Sequence, residues 1–148
     1  MSKTIPLAAL AWTIVLGAPD RAAAQDAPPE VTYRQNLMQA IRTNVIQLRS
    51  VAEVGHPDHT VHYARALYGI GEILGDAFRE GSAANSGALQ DVWNDHSEFQ
   101  EQVEFFRSAT GELLEAAEMR DAAAIQEGIQ SVGGTCSACH QDFRAPND

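Results

Sequence analysis

The chain has 148 residues, of which 10 are basic and 20 acidic, and its formal net charge at pH 7 is −10. This length accommodates one domain with one hydrophobic core, and the negative charge argues against binding to nucleic acid or to an anionic membrane surface. The same charge is expected to steer partner proteins that carry basic docking patches, and acidity that only keeps the protein soluble explains it equally well.

The first 24 residues predict a secretory signal peptide. Lys3 supplies a positive start, residues 5–18 form an apolar run too short to span a bilayer, and residues 22–24 are small, as before a cleavage point. We therefore expect residues 1–24 to be removed and residues 25–148 to form one exported domain. A bacterial periplasm is the expected location, without stable membrane insertion.

The exported part begins with a helical pattern in which apolar residues recur every three or four positions. The stripe expected to face the core is Val31, Arg34, Met38, Ile41, Val45, Leu48 and Ala52. Arg34 is the exception, because a buried guanidinium needs an anion or a polar partner unless its head reaches solvent. A second helix is capped by Asp58 in this prediction, and its stripe is Tyr63, Leu67, Ile70, Leu74 and Ala77.

Two further patterns complete an all-α chain. The third stripe is Val92, His96, Phe99, Val103, Phe106, Thr110, Leu113 and Ala117. The fourth follows Asp121, a predicted cap, and comprises Ala122, Ile125, Ile129, Val132, Cys136, Cys139 and Phe143. Since the connections are short, we predict an antiparallel up-down-up-down four-helix bundle, in which a cofactor lies between facing helices.

Near its end the fourth helix carries Cys136-Ser137-Ala138-Cys139-His140, the C-x-x-C-H pattern of c-type haem attachment. Residues three apart share one helix face, so both thiols can reach the two vinyl groups of one porphyrin, and the adjacent imidazole can bind its iron. A redox dithiol, a disulfide or half of a zinc site would also use two cysteines. The histidine that follows directly favours one covalently bound haem c.

The second axial ligand decides what such an iron does. The candidates are Met38, His56, His59, His62 and His96. A methionine at helical spacing is usually plain core, and an inward histidine usually hydrogen-bonds a neighbour. The pattern alone therefore assigns no sixth ligand.

Three motifs together resemble the class II cytochromes c, which comprise cytochrome c prime and its low-spin, methionine-ligated relatives. The motifs are Tyr33-Arg34-Gln35 with Met38, then Val92-Trp93, then Gly133-Gly134-x-Cys136-x-x-Cys139-His140-x-x-Phe143-Arg144. The resemblance extends over residues 31–144. It implies thioether bonds at both cysteines and proximal ligation of iron by the histidine.

The resemblance also assigns residues around the haem. It implies that Arg144 lies near the proximal face, Arg34 near a propionate and Phe78 near the distal pocket. Met38 falls where the low-spin members place their sixth ligand.

Two functions follow from the resemblance, and neither is an enzyme. The sequence Arg-Gln-x-x-Met looks more like the methionine-ligated branch, which implies a periplasmic carrier of single electrons with His140 and Met38 on the iron. The alternative is a five-coordinate protein similar to cytochrome c prime that binds nitric oxide or carbon monoxide. A dithiol oxidoreductase without haem is a third hypothesis, and a homodimer is compatible with each.

Overall fold

The computed structural model describes residues 28–82 and 86–146, so the predicted signal peptide lies outside the described part. Within these two ranges the chain is helical apart from turns and one isolated bridge between Ala88 and Arg144. The helices are α1 (Pro29–Glu53), α2 (Pro57–Gly71), α3 (Asp91–Asn94), α4 (His96–Glu118) and α5 (Ala122–Phe143), with a 3-10 turn at Gly75–Ala77.

The four long helices form the four-helix bundle that the sequence predicts. Helix α4 packs extensively against both α5 and α2, and α2 packs against α1, whereas α1 and α5 meet at few points. The ring centroids of Phe99 and Phe143 are 5.4 Å apart at one end of the α4–α5 pair. Leu113 approaches Gly128 at the other end. These two contacts establish that α4 and α5 run antiparallel.

The buried stripe of α3 and α4 together matches the predicted third stripe at seven of eight positions. Its members are Val92, Phe99, Val103, Phe106, Thr110, Leu113 and Ala117. His96 is the error, since it is exposed at the first position of α4. Helix α5 buries the predicted Ile125, Ile129, Val132 and Phe143, but Ala122 is exposed at its first turn.

Helix α1 corrects the prediction for Met38. The fully inward position belongs to the preceding Leu37, which is 8% exposed, while Met38 is only half-buried against the core. Both residues are apolar, so spacing alone could not choose between them. The sequence left open whether the Arg34 head is buried or reaches solvent, and the structure buries it at 4% exposure.

Two predicted helices are interrupted. The second was expected to continue to Ala77, but α2 ends at Gly71, because Gly69, Gly71 and Gly75 cluster where the helix is weakest. Leu74 and Ala77 remain buried beyond that end. The third pattern is divided at residue 95, which separates α3 from α4.

The two predicted caps have different outcomes. Asp121 accepts hydrogen bonds from the backbone N–H groups of Ala123 and Ala124, which confirms it as the cap of α5. Asp58 does not cap α2, which begins at Pro57. Its carboxylate instead accepts a hydrogen bond from Arg120, with an Nη2–Oδ1 distance of 2.6 Å.

In the described part of the chain, none of the helices combines the length and the apolar character needed to cross a membrane.

The close approach of α4 and α5 depends on Gly128. A Cβ atom there would lie 3.0 Å from Leu113 Cδ1 and 3.2 Å from Leu113 Cα. We expect Gly128→Ala to lower the free energy of unfolding by about 1–3 kcal/mol, because the backbone of α4 cannot yield as a side chain can. Urea unfolding followed by circular dichroism measures this change.

Gly69→Ala is the matched control. A Cβ atom at Gly69 meets nothing within 4 Å, so alanine is expected to stabilise α2 by about 0.5–1 kcal/mol through its helix propensity alone. A stabilising effect at Gly128 as well would contradict the proposed steric restriction.

Candidate functional site

The two cysteines lie in a gap of the buried stripe on α5. Val132 before them is 1% exposed and Phe143 after them is 6% exposed, whereas Cys136 and Cys139 are only half-buried. Both thiols are free and pack against the edge of the hydrophobic core. The helix therefore presents two free sulfur atoms on one face at the edge of the hydrophobic core.

The surroundings of Cys136, Cys139 and His140 favour the neutral form of each side chain. Burial raises the pKa of the Cys136 thiol, and burial together with the charges of Cys136 and Asp142 raises the pKa of Cys139 to about 11. Partial desolvation lowers the pKa of His140, and the positive charge of Arg144 lowers it further. A neutral imidazole has a lone pair available for a metal ion.

Arg49 of α1 marks the opposite wall of this gap. A Cβ atom at Gly133 would lie 3.5 Å from Arg49 Nη2, and the charge of Arg49 favours the thiolate of Cys136. Since α1 and α5 otherwise meet at few points, the sparsely packed region between these two helices beside Cys136 and Cys139 is named the crevice.

Met38 lies on the side of α1 that borders this crevice. Eleven residues correspond to about three helical turns, so Met38 and Arg49 point in nearly the same direction from the helix axis. Val45 occupies the same side, is half-buried and also packs against the core. Met38 and Val45 thus give this side of α1 an apolar strip against the core, and the exposed Arg42 lies at its edge.

Arg34 has neutral partners in place of an anion. Its Nη1 donates to Ser82 Oγ at 3.1 Å and to the Ala77 carbonyl at 3.4 Å, and its Nη2 donates to the Ser82 carbonyl at 3.0 Å. The guanidinium carbon lies 4.8 Å from the centre of the Phe78 ring and 5.8 Å from that of Trp93. Arg34 therefore holds residues 77–82 against α1, whether or not a propionate also approaches it.

The remaining predicted site residues lie at the same end of the bundle. Phe78 is buried, with its ring centroid 4.7 Å from that of Phe99. Arg144 follows the end of α5, pairs with Ala88 through the isolated bridge, and acts electrostatically on His140.

The other histidines lie on exposed surface. His56 and His59 stack with ring centroids 5.3 Å apart at the start of α2, His62 follows one turn later, and His96 begins α4. Within residues 28–82 and 86–146, no group of three or more His, Cys, Asp and Glu side chains could hold a metal ion.

The residues at the crevice fit a c-type haem. Two free thiols on one helix face, an adjacent neutral imidazole and a half-buried position beside the hydrophobic core are the donor set and the surroundings that this group requires.

Sequence reasoning missed Arg49 and Leu37. Leu37 could have been found by testing both apolar neighbours at that turn of the helix. Arg49 gave no such signal, because its proximity to Gly133 depends on how α1 crosses α5.

The family model and the most similar relatives described below agree on one protein family. The family model described as Cytochrome C′ matches residues 29–144. The cytochrome c′ of Rhodospirillum rubrum is 36% identical over 143 residues, which cover 94% of this chain and 93% of that protein.

Solved structures show the same fold. A nitric oxide complex of a variant cytochrome c prime from Alcaligenes xylosoxidans has a TM-score of 0.75 at 21% identity, covering 80% of this chain and 94% of that chain. A cytochrome c′ described as having ligand-controlled dimer dissociation has a TM-score of 0.73 at 18% identity, covering 79% and 95%.

Proposed function

Because the chain belongs to the cytochrome c′ family, we propose that its single covalently attached c-type haem keeps an open coordination position that binds nitric oxide or carbon monoxide. The observation that carries this proposal is the 36% identity to a cytochrome c′ across nearly the whole of both chains. The solved nitric oxide complex of a protein with the same fold supports the choice of ligand. The protein is not an enzyme.

In this proposal the chain supplies attachment, one axial ligand and an apolar pocket. The thiols of Cys136 and Cys139 would form the two thioether bonds, and the neutral His140 would be the axial ligand that the protein supplies to the iron. The haem supplies the metal that binds the gas. Each of these residues is placed by α5, so one rigid element determines the position of the haem relative to α1.

The side chains of α1 that face the haem from across the crevice determine which ligands the iron favours. Met38 and Val45 offer no hydrogen-bond donor, and both pack against the hydrophobic core. A pocket of this kind does not stabilise anionic ligands or water, but it admits a small neutral diatomic molecule. The polarity and the size of this pocket thereby determine which ligands can bind the iron.

The second candidate is the electron carrier that the sequence predicts, with Met38 as the sixth ligand. Its support is the location of Met38 on the crevice side of α1. The open position is favoured instead by the likeness to the Rhodospirillum rubrum and Alcaligenes xylosoxidans proteins, both of which are cytochromes c′. A thioether that packs against the core is also the ordinary condition of a methionine.

Absorption spectra of Met38→Leu separate the two candidates. We expect the purified protein to be high-spin and its reduced form to bind carbon monoxide, and we expect Met38→Leu to leave the spin state unchanged. Leucine preserves the volume and the packing, so only ligation is tested. A low-spin protein that becomes high-spin in Met38→Leu would establish the carrier instead.

Export and dimer formation are part of the same proposal. The predicted signal peptide supports a periplasmic location, which suits covalent haem attachment. A homodimer is supported by the structural relative described as a dimer that dissociates under ligand control. Sedimentation of the protein with and without carbon monoxide tests this assembly.

A further inference from the structure

A groove of about 420 Å³ lies between α4 and α5, on the side of α5 that faces away from α1. Its α5 wall consists of small residues, including Gly134, Thr135 and Ala138, two of which are direct neighbours of the haem-binding cysteines. The α4 wall carries Phe105, whose side chain is 55% exposed. An exposed aromatic ring beside a shallow groove is typical of a surface that a partner covers.

Gln102 adds a polar feature to the same groove. It is one of the lining residues, and its Oε1 atom is buried without a hydrogen-bond partner in the described part of the chain. A buried acceptor without a donor is costly, so a donor group that enters beside Gln102 would gain a hydrogen bond.

Carboxylates border both ends of the groove. Glu112 lines it at one end, and Glu127 lies one turn before the lining residue Ser131. At the opposite end Glu98 lies one turn before Gln102 and Asp142 one turn after Ala138. The Leu113–Gly128 and Phe99–Phe143 contacts bring the members of each pair to the same level of the bundle.

These four carboxylates are available to a partner. All four residues are exposed, and none belongs to an ion pair among residues 28–82 and 86–146. The lining residues include no arginine or lysine. Fourteen residues separate Glu98 from Glu112, so the two acidic ends are about 21 Å apart along α4.

We propose that this groove is the docking site for a basic helical segment of a redox partner protein. Positive side chains four helical turns apart would meet the two acidic ends, while an apolar side chain between them would cover Phe105. Bound there, the partner would lie beside the turn of α5 that carries both cysteines, close to the haem. A second copy of this chain fits less well, because it would place four more carboxylates against these four.

A designed peptide tests the surface. The probe is a labelled amphipathic helix of 18 residues with two lysines at each end and leucine at its centre, compared with a scrambled peptide of equal composition. Fluorescence anisotropy with the haem-containing protein should show binding that weakens as salt rises and that exceeds binding of the scrambled peptide about tenfold.

Two sets of substitutions provide the decisive comparison. The groove variant is Glu98→Gln, Glu112→Gln, Glu127→Gln and Asp142→Asn. The control variant has the same net charge and is Glu30→Gln, Glu53→Gln, Asp76→Asn and Glu80→Gln. We expect the groove variant to lose at least about tenfold in affinity and the control less than about threefold.

Phe105→Ala is expected to weaken the peptide about fivefold, since the ring is a contact and not part of the core. Equal losses in the groove and control variants, or equal binding of the scrambled peptide, would overturn the proposal. Self-association of the unmodified protein that Phe105→Ala abolishes would also overturn it in favour of a contact between copies. The absorption spectrum and carbon monoxide binding of each variant report on the haem site separately, so failure here is distinguishable from failure of gas binding.

Discussion

The double substitution Cys136→Ser with Cys139→Ser is expected to give a chain whose mass equals that of the polypeptide alone and which lacks Soret absorbance. Serine oxygen does not form the thioether bonds, and His140 alone holds a haem by a single bond to iron. Because the stripe of α5 is open at these two positions, loss of the cofactor also leaves the bundle incompletely packed. Intact-mass spectrometry and thermal unfolding measure the two effects.

Ser137→Ala is the control for this substitution. Ser137 lies between the cysteines, is exposed, and donates only to the Gly133 carbonyl within its own helix. We expect full haem incorporation and an unchanged melting temperature. A double variant that retained the mass of a covalent haem would exclude Cys136 and Cys139 as the attachment points.

Replacement of Arg34 by leucine should be the most damaging single change outside the C-x-x-C-H motif. It removes three hydrogen bonds, leaves the carbonyl oxygens of Ala77 and Ser82 without this donor, and removes the cation from the Phe78 and Trp93 rings. We expect a loss of about 2–4 kcal/mol in the free energy of unfolding, since relief of the buried charge offsets only part of the cost. Urea unfolding of the haem-containing protein measures it.

Two further variants identify the cause of that loss. Arg34→Lys keeps the charge, but an ammonium group lacks the planar set of N–H donors that reaches all three acceptors. We therefore expect an intermediate loss in the free energy of unfolding. Arg42→Leu, at an exposed position of the same helix, should change stability by less than about 0.5 kcal/mol. If Arg34→Leu were as stable as Arg42→Leu, the role of Arg34 in holding residues 77–82 would be refuted.

Much of the bundle was predictable because helices are local. The inward stripe of α4, the cap at Asp121 and the placement of both cysteines on the core-facing side of α5 each depend on residues within a few turns of one another. The C-x-x-C-H pattern is local as well, so it predicted the cofactor of the family. The residue roles that follow from it stay predictions until the substitutions above are made.

The errors occurred where local preferences were nearly equal. Leu37 and Met38 are both apolar and adjacent, and only the packing of α1 against its neighbours places the former inward and the latter beside the crevice. Asp58 has a side chain that can cap a helix, but the turn between α4 and α5 brings Arg120 close enough to form an ion pair with it.

The sequence by itself determined that this is a helical chain with two thiols and an imidazole on its last helix, because those features depend on spacing along one segment. Only the tertiary structure decided that Arg34 bonds to Ser82, that Arg49 approaches Gly133, and that four carboxylates border one groove between α4 and α5. Each of these depends on residues far apart in the chain, whose distances are set by how whole helices pack and not by any local pattern.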